Sequence, residues 1–247
     1  MKLTPPTALP DWAYFLDVDG TLVELAQTPG QVHVPIELKT IISLAHRCCN
    51  GALAVISGRA IRDLDLLLGL PQLPAAGQHG LEIRDAHGDT HYQSVESGGL
   101  NDIVHHLQHL QARHPGLLLE DKGATLAVHY RQAPDLGSYL SRLLKGVLAL
   151  HPGLHMQRGK FVFELKPAGF DKGTAIQKLM SLPPFAGRKP VFVGDDLTDE
   201  HGFKAINQMG GLSIKVGNGR TCAQYRLACV EAVRDWLGCM TELAEQN

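Results

Sequence analysis

The stretch FLDVDGTL, Phe15 to Leu22, decides how the chain is read. Ala13 to Leu16 form a short apolar run of the kind that makes a buried strand, and the run stops at Asp17. Asp17 and Asp19 follow with one valine between them, and Gly20 lets the chain turn sharply. Carboxylates at the end of a buried strand are costly unless something compensates them, so their partners must come from elsewhere in the chain.

The next segments repeat the pattern. Ile36 to Cys48 has helical spacing at Leu38, Ile41, Ile42 and Leu44, and Asn50-Gly51 ends it. Ala52 to Ile56 is a second apolar strand, closed by Ser57-Gly58-Arg59; Ile61 to Leu68 is helical, and Leu73 to Ala76 is a third strand before Gly77-Gln78-His79-Gly80. Strands alternating with helices imply right-handed crossovers and a parallel sheet. From Leu81 the style changes: Leu81 to Tyr92 alternates across His87-Gly88 as a hairpin does, and a helix follows with Leu100, Ile103, Val104, Leu107 and Leu110 on one side. Leu117 to Arg131 and Leu154 to Lys166 read as two more hairpins, turning near Lys122-Gly123 and Arg158-Gly159, around a helix from Leu136 to Leu150. After Pro167-Ala168-Gly169 the first style returns. Asp171 is placed to cap a helix running to Met180, Pro183-Pro184 breaks it, Val191 to Val193 leads into GDDLTDE, Ser213 to Val216 is a strand, and Glu231 to Leu243 is helical. The expected class is α/β: a doubly wound parallel core from residues 1–81 and 169–247, split by an inserted α+β domain at residues 82–168.

Composition narrows the function. With 44% apolar and 19% charged residues in 247, the chain is a globular protein with room for one large core and an insertion. A net charge of -2 gives no general attraction to nucleic acid or to an anionic membrane, and no apolar run is long enough to span one. Five cysteines, without metal-type spacing, are the usage of a reducing compartment, and the start of the chain is not a signal peptide, so a cytoplasmic protein is expected. His105, His106 and His109 fall on one amphipathic helix without a nearby carboxylate and read as a solvated face. Any anionic substrate must therefore be drawn by a local arrangement of cations; the expectation is a small-molecule partner and a monomeric protein.

In an open parallel sheet, ligands bind beyond the carboxyl ends of the strands. That rule collects Asp17, Ser57, Gly77, His79, Asp195 and Asp196 at one edge, with Lys172 in the first turn of the helix after Asp171. Converging carboxylates require a cation, and hard oxygen ligands suit Mg²⁺. Asp17 is then placed to attack a phosphorus atom, forming an aspartyl-phosphate. Asp19, on the same side of an extended segment, can protonate the leaving oxygen and later take a proton from water. Ser57 offers a hydroxyl and Lys172 a positive charge to the phosphoryl oxygens. Taken singly, each piece has a plainer reading: D-x-D as two solvated acids in a loop, Ser57-Gly58-Arg59 as a turn, Asp171-Lys172-Gly173 as an ordinary helix start. Gly20, Gly58, Arg59 and His79 are further candidates for contacts from the core to substrate.

DVDGT, SGR, the Lys172 position and GDDLTDE together resemble the four motifs of the haloacid dehalogenase superfamily of phosphohydrolases. The resemblance implies a Rossmann-like core, the nucleophile at Asp17, acid/base work at Asp19, phosphate contacts at Ser57 and Lys172, and Mg²⁺ on Asp17, the main-chain carbonyl of Asp19, and Asp195. Asp196 and Asp199 would be supporting acids, and the insertion would be a C2-type cap. AGQHGLEIR, LEDKG, HYRQAP, GKFVFELKP and VFVGDDLTDE are similar to the trehalose-6-phosphate phosphatase family over nearly the whole chain. That likeness implies a cap that grips a phosphorylated disaccharide through Glu120, Lys122, Arg131, Lys160 and Glu164; because cap and core are joined near residues 82 and 168, a hinge motion closing over the substrate is also expected. It leaves as alternatives the same chemistry on sucrose phosphate or a hexose phosphate, a phosphomutase, and a non-catalytic sensor, which would have no need of Asp17, Asp19, Lys172 and Asp195 together.

Overall fold

The computed structural model describes residues 3–26, 31–93, 100–159 and 161–245, with side chains at all of these except 101, 102 and 241–245. The chain divides into two compact units, residues 1–92 with 171–247, and residues 93–170.

In chain order the elements are β1 (Trp12–Leu16), α1 (Ile36–Cys48), β2 (Leu53–Ile56), α2 (Ile61–Leu68), β3 (Ala75–Gly77), β4 (Glu82–Arg84) and β5 (Thr90–Tyr92). The second unit holds α3 (Leu100–Arg113), β6 (Leu118–Asp121), β7 (Leu126–His129), α4 (Gly137–Leu148), β8 (Leu154–Gly159) and β9 (Val162–Pro167). The first unit resumes with α5 (Lys172–Met180), β10 (Lys189–Gly194), α6 (Glu200–Gln208), β11 (Leu212–Val216), β12 (Tyr225–Leu227) and α7 (Val230–Glu245).

The core sheet runs β12-β11-β10-β1-β2-β3-β4-β5. Its strands from β12 to β3 are parallel, and β1 lies between β10 and β2 with all five residues buried. A strand covered on both faces reads as a continuous apolar run, which is how WAYFL reads. From β1 the chain steps outward to β2 and β3 on one side and returns to β10 on the other, so the order reverses between β1 and β10. Leu16 is level with both Val55 and Val193. The residues that follow these strands, Asp17, Ser57 and Asp195, therefore emerge along one edge beside the reversal. Helix α1 packs against α7 and α5 against α6, and the stacked pair Phe15 and Phe185, with centroids 5.3 Å apart, belongs to the buried centre.

Two expectations need correction. The hairpin of β4 and β5 does not belong to the insertion: β4 pairs antiparallel with β3, covering a sheet edge that would otherwise be open, and the second unit begins after Tyr92 rather than before Glu82. The Arg84 guanidinium ties the hairpin down through Asp65 on α2, at 2.8 and 2.7 Å, and the carbonyl of Leu73. Helix α6 and strand β12 were not anticipated. The first is nine residues long and largely polar in sequence, and the second has three residues, too few to show a period.

The second unit is one antiparallel sheet, β6-β7-β9-β8, rather than separate hairpins. Successive rows across it alternate in character. Leu126, Leu165 and Met156 form one row and Leu119, Val128 and Phe163 another; these pack with Ile103, Leu107, Leu140 and Leu144 of α3 and α4 into a core of their own. The row between them, Glu120, Ala127, Glu164 and Gln157, faces the other way. His105, His106 and His109 are exposed on α3. Among the described residues, no helix is long and apolar enough to cross a membrane.

Candidate active site

Asp17 is almost fully buried immediately beyond β1, where its N–H donates to the carbonyl of Val193. Its two carboxylate oxygens have different partners: the Lys172 ammonium donates to Oδ1 at 2.6 Å and the Thr21 hydroxyl to Oδ2 at 3.1 Å. Lys172 is brought there because Asp171 caps α5, accepting from the Thr174 N–H at 2.9 Å while the Thr174 hydroxyl accepts from the Asp171 N–H. The same ammonium donates to Oδ1 of Asp199 at 2.5 Å, and Oδ2 of Asp199 accepts the N–H groups of Asp195 and Asp196 at 2.8 and 2.9 Å. Asp199 thus holds the lysine with one oxygen and shapes the Asp195-Asp196 turn with the other. Gly194 makes this possible, since a Cβ there would lie 2.5 Å from the Asp199 carboxyl carbon.

Asp195 completes the cluster. Its carboxylate lies against Gly20, which has φ +82° and where a Cβ would meet Asp195 Oδ2 at 2.2 Å, so only glycine fits. Burial, then the charges of Asp199 and Asp196, push the Asp195 carboxyl up to about 7, against the pull of Lys172 and Lys215. Burial and then Asp199 likewise hold Asp17 well above the usual carboxylate range, with Lys172 opposing. Lys172 itself would be lowered by burial, but Asp17 and Asp199 more than reverse that and keep it charged. With one ammonium among three carboxylates, ionising Asp17 and Asp195 together is costly, and both are held above the ordinary carboxylate range.

Ligand oxygens of Asp17, Asp195 and Asp199 all lie within 4.8 Å of one another, spacing that suits a cation. Asp199 accepts three donors, the Lys172 ammonium and the N–H groups of Asp195 and Asp196, whereas Asp17 accepts two, from Lys172 and Thr21. Among the described residues, Asp195 Oδ1 is buried with no hydrogen-bond partner, the state of an oxygen made to meet a cation.

A second group of candidates adjoins this cluster. Ser57 is buried, and its oxygen accepts the Arg59 N–H at 3.1 Å while its hydroxyl keeps a hydrogen to donate. Arg59 forks onto Asp19, with Nε to Oδ2 at 2.7 Å and Nη2 to Oδ1 at 2.6 Å. The His79 ring lies over Gly58, where a Cβ would approach Nε2 to 2.7 Å. Asp196 is exposed and caps the short turn that follows it.

In the second unit, Lys122 lies 3.9 Å from Glu120 and 3.6 Å from Glu164, while the Thr125 hydroxyl donates to Glu164 at 3.4 Å. His129 Nε2 is 3.0 Å from Glu120 Oε2; that bond, and then the Lys122 charge, hold the Glu120 carboxyl below its ordinary value despite partial burial. Arg131 stands past the far end of β7 from Lys122, its guanidinium 5.6 Å from the Phe161 ring centroid, and is not brought into this cluster by any described contact. Lys160 lies outside the described residues. Thr21, Thr125, His129 and Lys215 were missed in the sequence. Strand alternation places Thr125, Ala127 and His129 on one face, a signal that was there to be used; Lys215, next to last in the LSIKV strand and level with Gly194, offered a similar one.

The trehalose-phosphatase family model matches residues 15–231. The chain belongs to this family. A trehalose-6-phosphate phosphatase of Escherichia coli is 44% identical over 96% of this chain and 89% of its own. A probable trehalose-phosphate phosphatase of Sinorhizobium fredii is 42% identical over 85% and 80%. The solved structure of a trehalose-6-phosphate phosphatase related protein superposes with a TM-score of 0.81 at 26% identity, covering 95% of this chain and 99% of that one. A haloacid dehalogenase-like hydrolase from Bacteroides thetaiotaomicron shares the fold, with a TM-score of 0.63 at 18% identity over 92% of this chain and 98% of that one.

Replacing Lys172 by Met strands Asp17 and Asp199 without their shared cation and is expected to cost about 3–5 kcal/mol at neutral pH. Lys172 opposes the upward push on the Asp17 carboxyl, so its loss raises that group further, a destabilisation that grows as pH rises past the unfolded carboxylate value and should shrink towards pH ~4. Urea denaturation at several pH values measures it; a pH-independent deficit would contradict the charge argument.

Proposed function

We propose that this chain is a Mg²⁺-dependent phosphoric monoester hydrolase that converts trehalose 6-phosphate to trehalose and phosphate, a step of trehalose biosynthesis, through an aspartyl-phosphate on Asp17. The observation that carries the chemistry is Lys172 joining Asp17 to Asp199 beside the orphaned oxygen of Asp195 at the sheet reversal. The substrate assignment rests on the names of the relatives and on the polar rows of the inserted sheet.

Asp17 attacks phosphorus while the bond to the sugar oxygen breaks, and that oxygen leaves with a proton from Asp19. Water then attacks the same phosphorus, giving its proton to Asp19, and the bond to Asp17 breaks to release phosphate. Lys172 keeps the Asp17 carboxylate oriented and offsets charge as the two anions approach. Ser57 donates its hydroxyl to a phosphoryl oxygen. Asp17 and Asp195 would hold Mg²⁺, together with the carbonyl of Asp19; when bound, the ion neutralises the carboxylates and polarises the phosphoryl group. Asp196 and Asp199 support the site by shaping its turn. Glu120, Lys122 and Glu164, joined by His129, present alternating acceptors and donors suited to vicinal hydroxyls, with Arg131 and Lys160 as further sugar contacts.

Phosphate release should be greatest from trehalose 6-phosphate in a panel with sucrose phosphate and glucose 6-phosphate. Asp17→Asn, nearly isosteric, should give none above background with the melting temperature preserved; equal turnover across the panel would overturn the substrate, and an active Asp17→Asn enzyme the nucleophile. Glu120→Ala should lower kcat/KM on trehalose 6-phosphate about 10–100-fold, the loss of one or two charge-assisted hydrogen bonds, and leave 4-nitrophenyl phosphate turnover nearly unchanged. In thermal melts of EDTA-treated protein, Mg²⁺ should raise the melting temperature of the wild type and scarcely that of Asp195→Asn. Equal stabilisation of both would remove Asp195 from the ligand set.

A further inference from the structure

Arg59 was placed in the sequence among the residues that touch substrate, but the structure surrounds it with a support that has a different logic. Its fork takes both oxygens of Asp19, fixing the plane and direction of a carboxyl that is otherwise 29% exposed on its side chain. The backbone of Arg59 is itself held. Its carbonyl accepts the N–H of Gln78 at 2.8 Å, and the carbonyl of Ser57 accepts the N–H of His79 at 3.0 Å. To make those two bonds, Gln78 and His79 adopt φ of +46° and +56°, a left-handed conformation that side chains other than glycine rarely take, twice in succession. Strain of this kind persists where the surroundings over-determine it.

The surroundings include Glu82 of the edge hairpin. Its Oε2 accepts the N–H of Ile61, the first residue of α2, at 2.7 Å, and its Oε1 accepts from the Gln78 amide at 2.8 Å. Gly77 leaves the room for this carboxylate: a Cβ there would lie 2.8 Å from Glu82 Oε2, 2.8 Å from the Ile61 nitrogen and 2.9 Å from the Arg59 carbonyl oxygen. The bracket runs from Glu82 through the Gln78-His79 turn to the Ser57–Arg59 loop, and from Arg59 to Asp19.

We infer that Arg59 is a positioning residue for the proton-transfer step, aiming Asp19 at the leaving oxygen, and that Glu82 positions Arg59. The inference rests on the phosphatase reading above and assigns no new bond-making step: one proton passes from the Asp19 carboxyl to the bridging oxygen as its bond to phosphorus breaks. A misaimed acid matters most when the leaving group is a poor one. A sugar alkoxide needs the proton and a nitrophenolate hardly does.

The test is the rate of phosphorylation of Asp17, followed by rapid quench, on trehalose 6-phosphate and on 4-nitrophenyl phosphate. Arg59→Ala should slow the sugar ester about 10–100-fold, the scale of a misplaced general acid, and the aryl ester by no more than about 3-fold. Asp19→Asn should show the same selectivity, and the double variant should be no slower than Asp19→Asn alone. Arg59→Lys keeps the charge but not the fork and should stay close to Arg59→Ala. Glu82→Gln, which leaves Arg59 in place, should give a smaller loss with the same selectivity. Equal losses on both esters, multiplying losses in the double variant, or full rescue by lysine would overturn the inference and make Arg59 a direct phosphate contact. A wild-type enzyme that releases phosphate from neither ester would instead overturn the phosphatase reading.

Discussion

A single ammonium group shared between two buried carboxylates organises the catalytic unit. Lys172, 155 residues from Asp17 in sequence, reaches Asp17 and Asp199 within one hydrogen-bond length each. Buried ion pairs are poor devices for stability, since desolvating the charges cancels much of their attraction. A trio with more carboxylate than ammonium is worse, and Asp195 adds a further acid. The fold tolerates this arrangement because a large apolar core surrounds β1 and β10 and supplies the stability that the site consumes. On the proposed reading, a bound cation and an anionic ester would turn the unfavourable electrostatics of the free protein into favourable interactions.

Glycine placement shows how closely the site is packed. Gly20 admits Asp195, Gly194 admits Asp199 and Gly77 admits Glu82, each where a Cβ would fall inside another residue's carboxylate. In each case the backbone approaches a functional oxygen more closely than any side chain would allow. The glycines of FLDVDGTL and VFVGDDLTDE are spatial requirements of the acids beside them.

Much of this was legible beforehand. Strand ends in a parallel sheet converge by topology, so the points where the apolar runs stopped gathered Asp17, Ser57 and Asp195, and the helix start after Asp171 added Lys172. The allegiance of the Glu82–Tyr92 hairpin was not legible, because alternation identifies a hairpin without saying which sheet edge it will cover. The central position of Asp199 was hidden for a related reason: it looks like one more acid in an acidic run, and its two-sided bonding depends on a lysine 27 residues away. The alternation along β7 marks the face of His129, but its partner Glu120 lies across strands and is not named by that period.

The alternating rows of the inserted sheet carry a consequence for how such a protein changes over generations. Glu120 and Glu164 share a row with Ala127, while Leu119, Val128 and Phe163 occupy the next row on the opposite face. If Glu120 and Glu164 hold the sugar as proposed, substitutions in their row would alter what is held while leaving Leu119, Val128 and Phe163 in place. A one-residue insertion or deletion within β6 or β9 would exchange the two faces and forfeit both properties together. The two-residue period thus leaves the row of Glu120 and Glu164 open to replacement and nearly closed to changes in length.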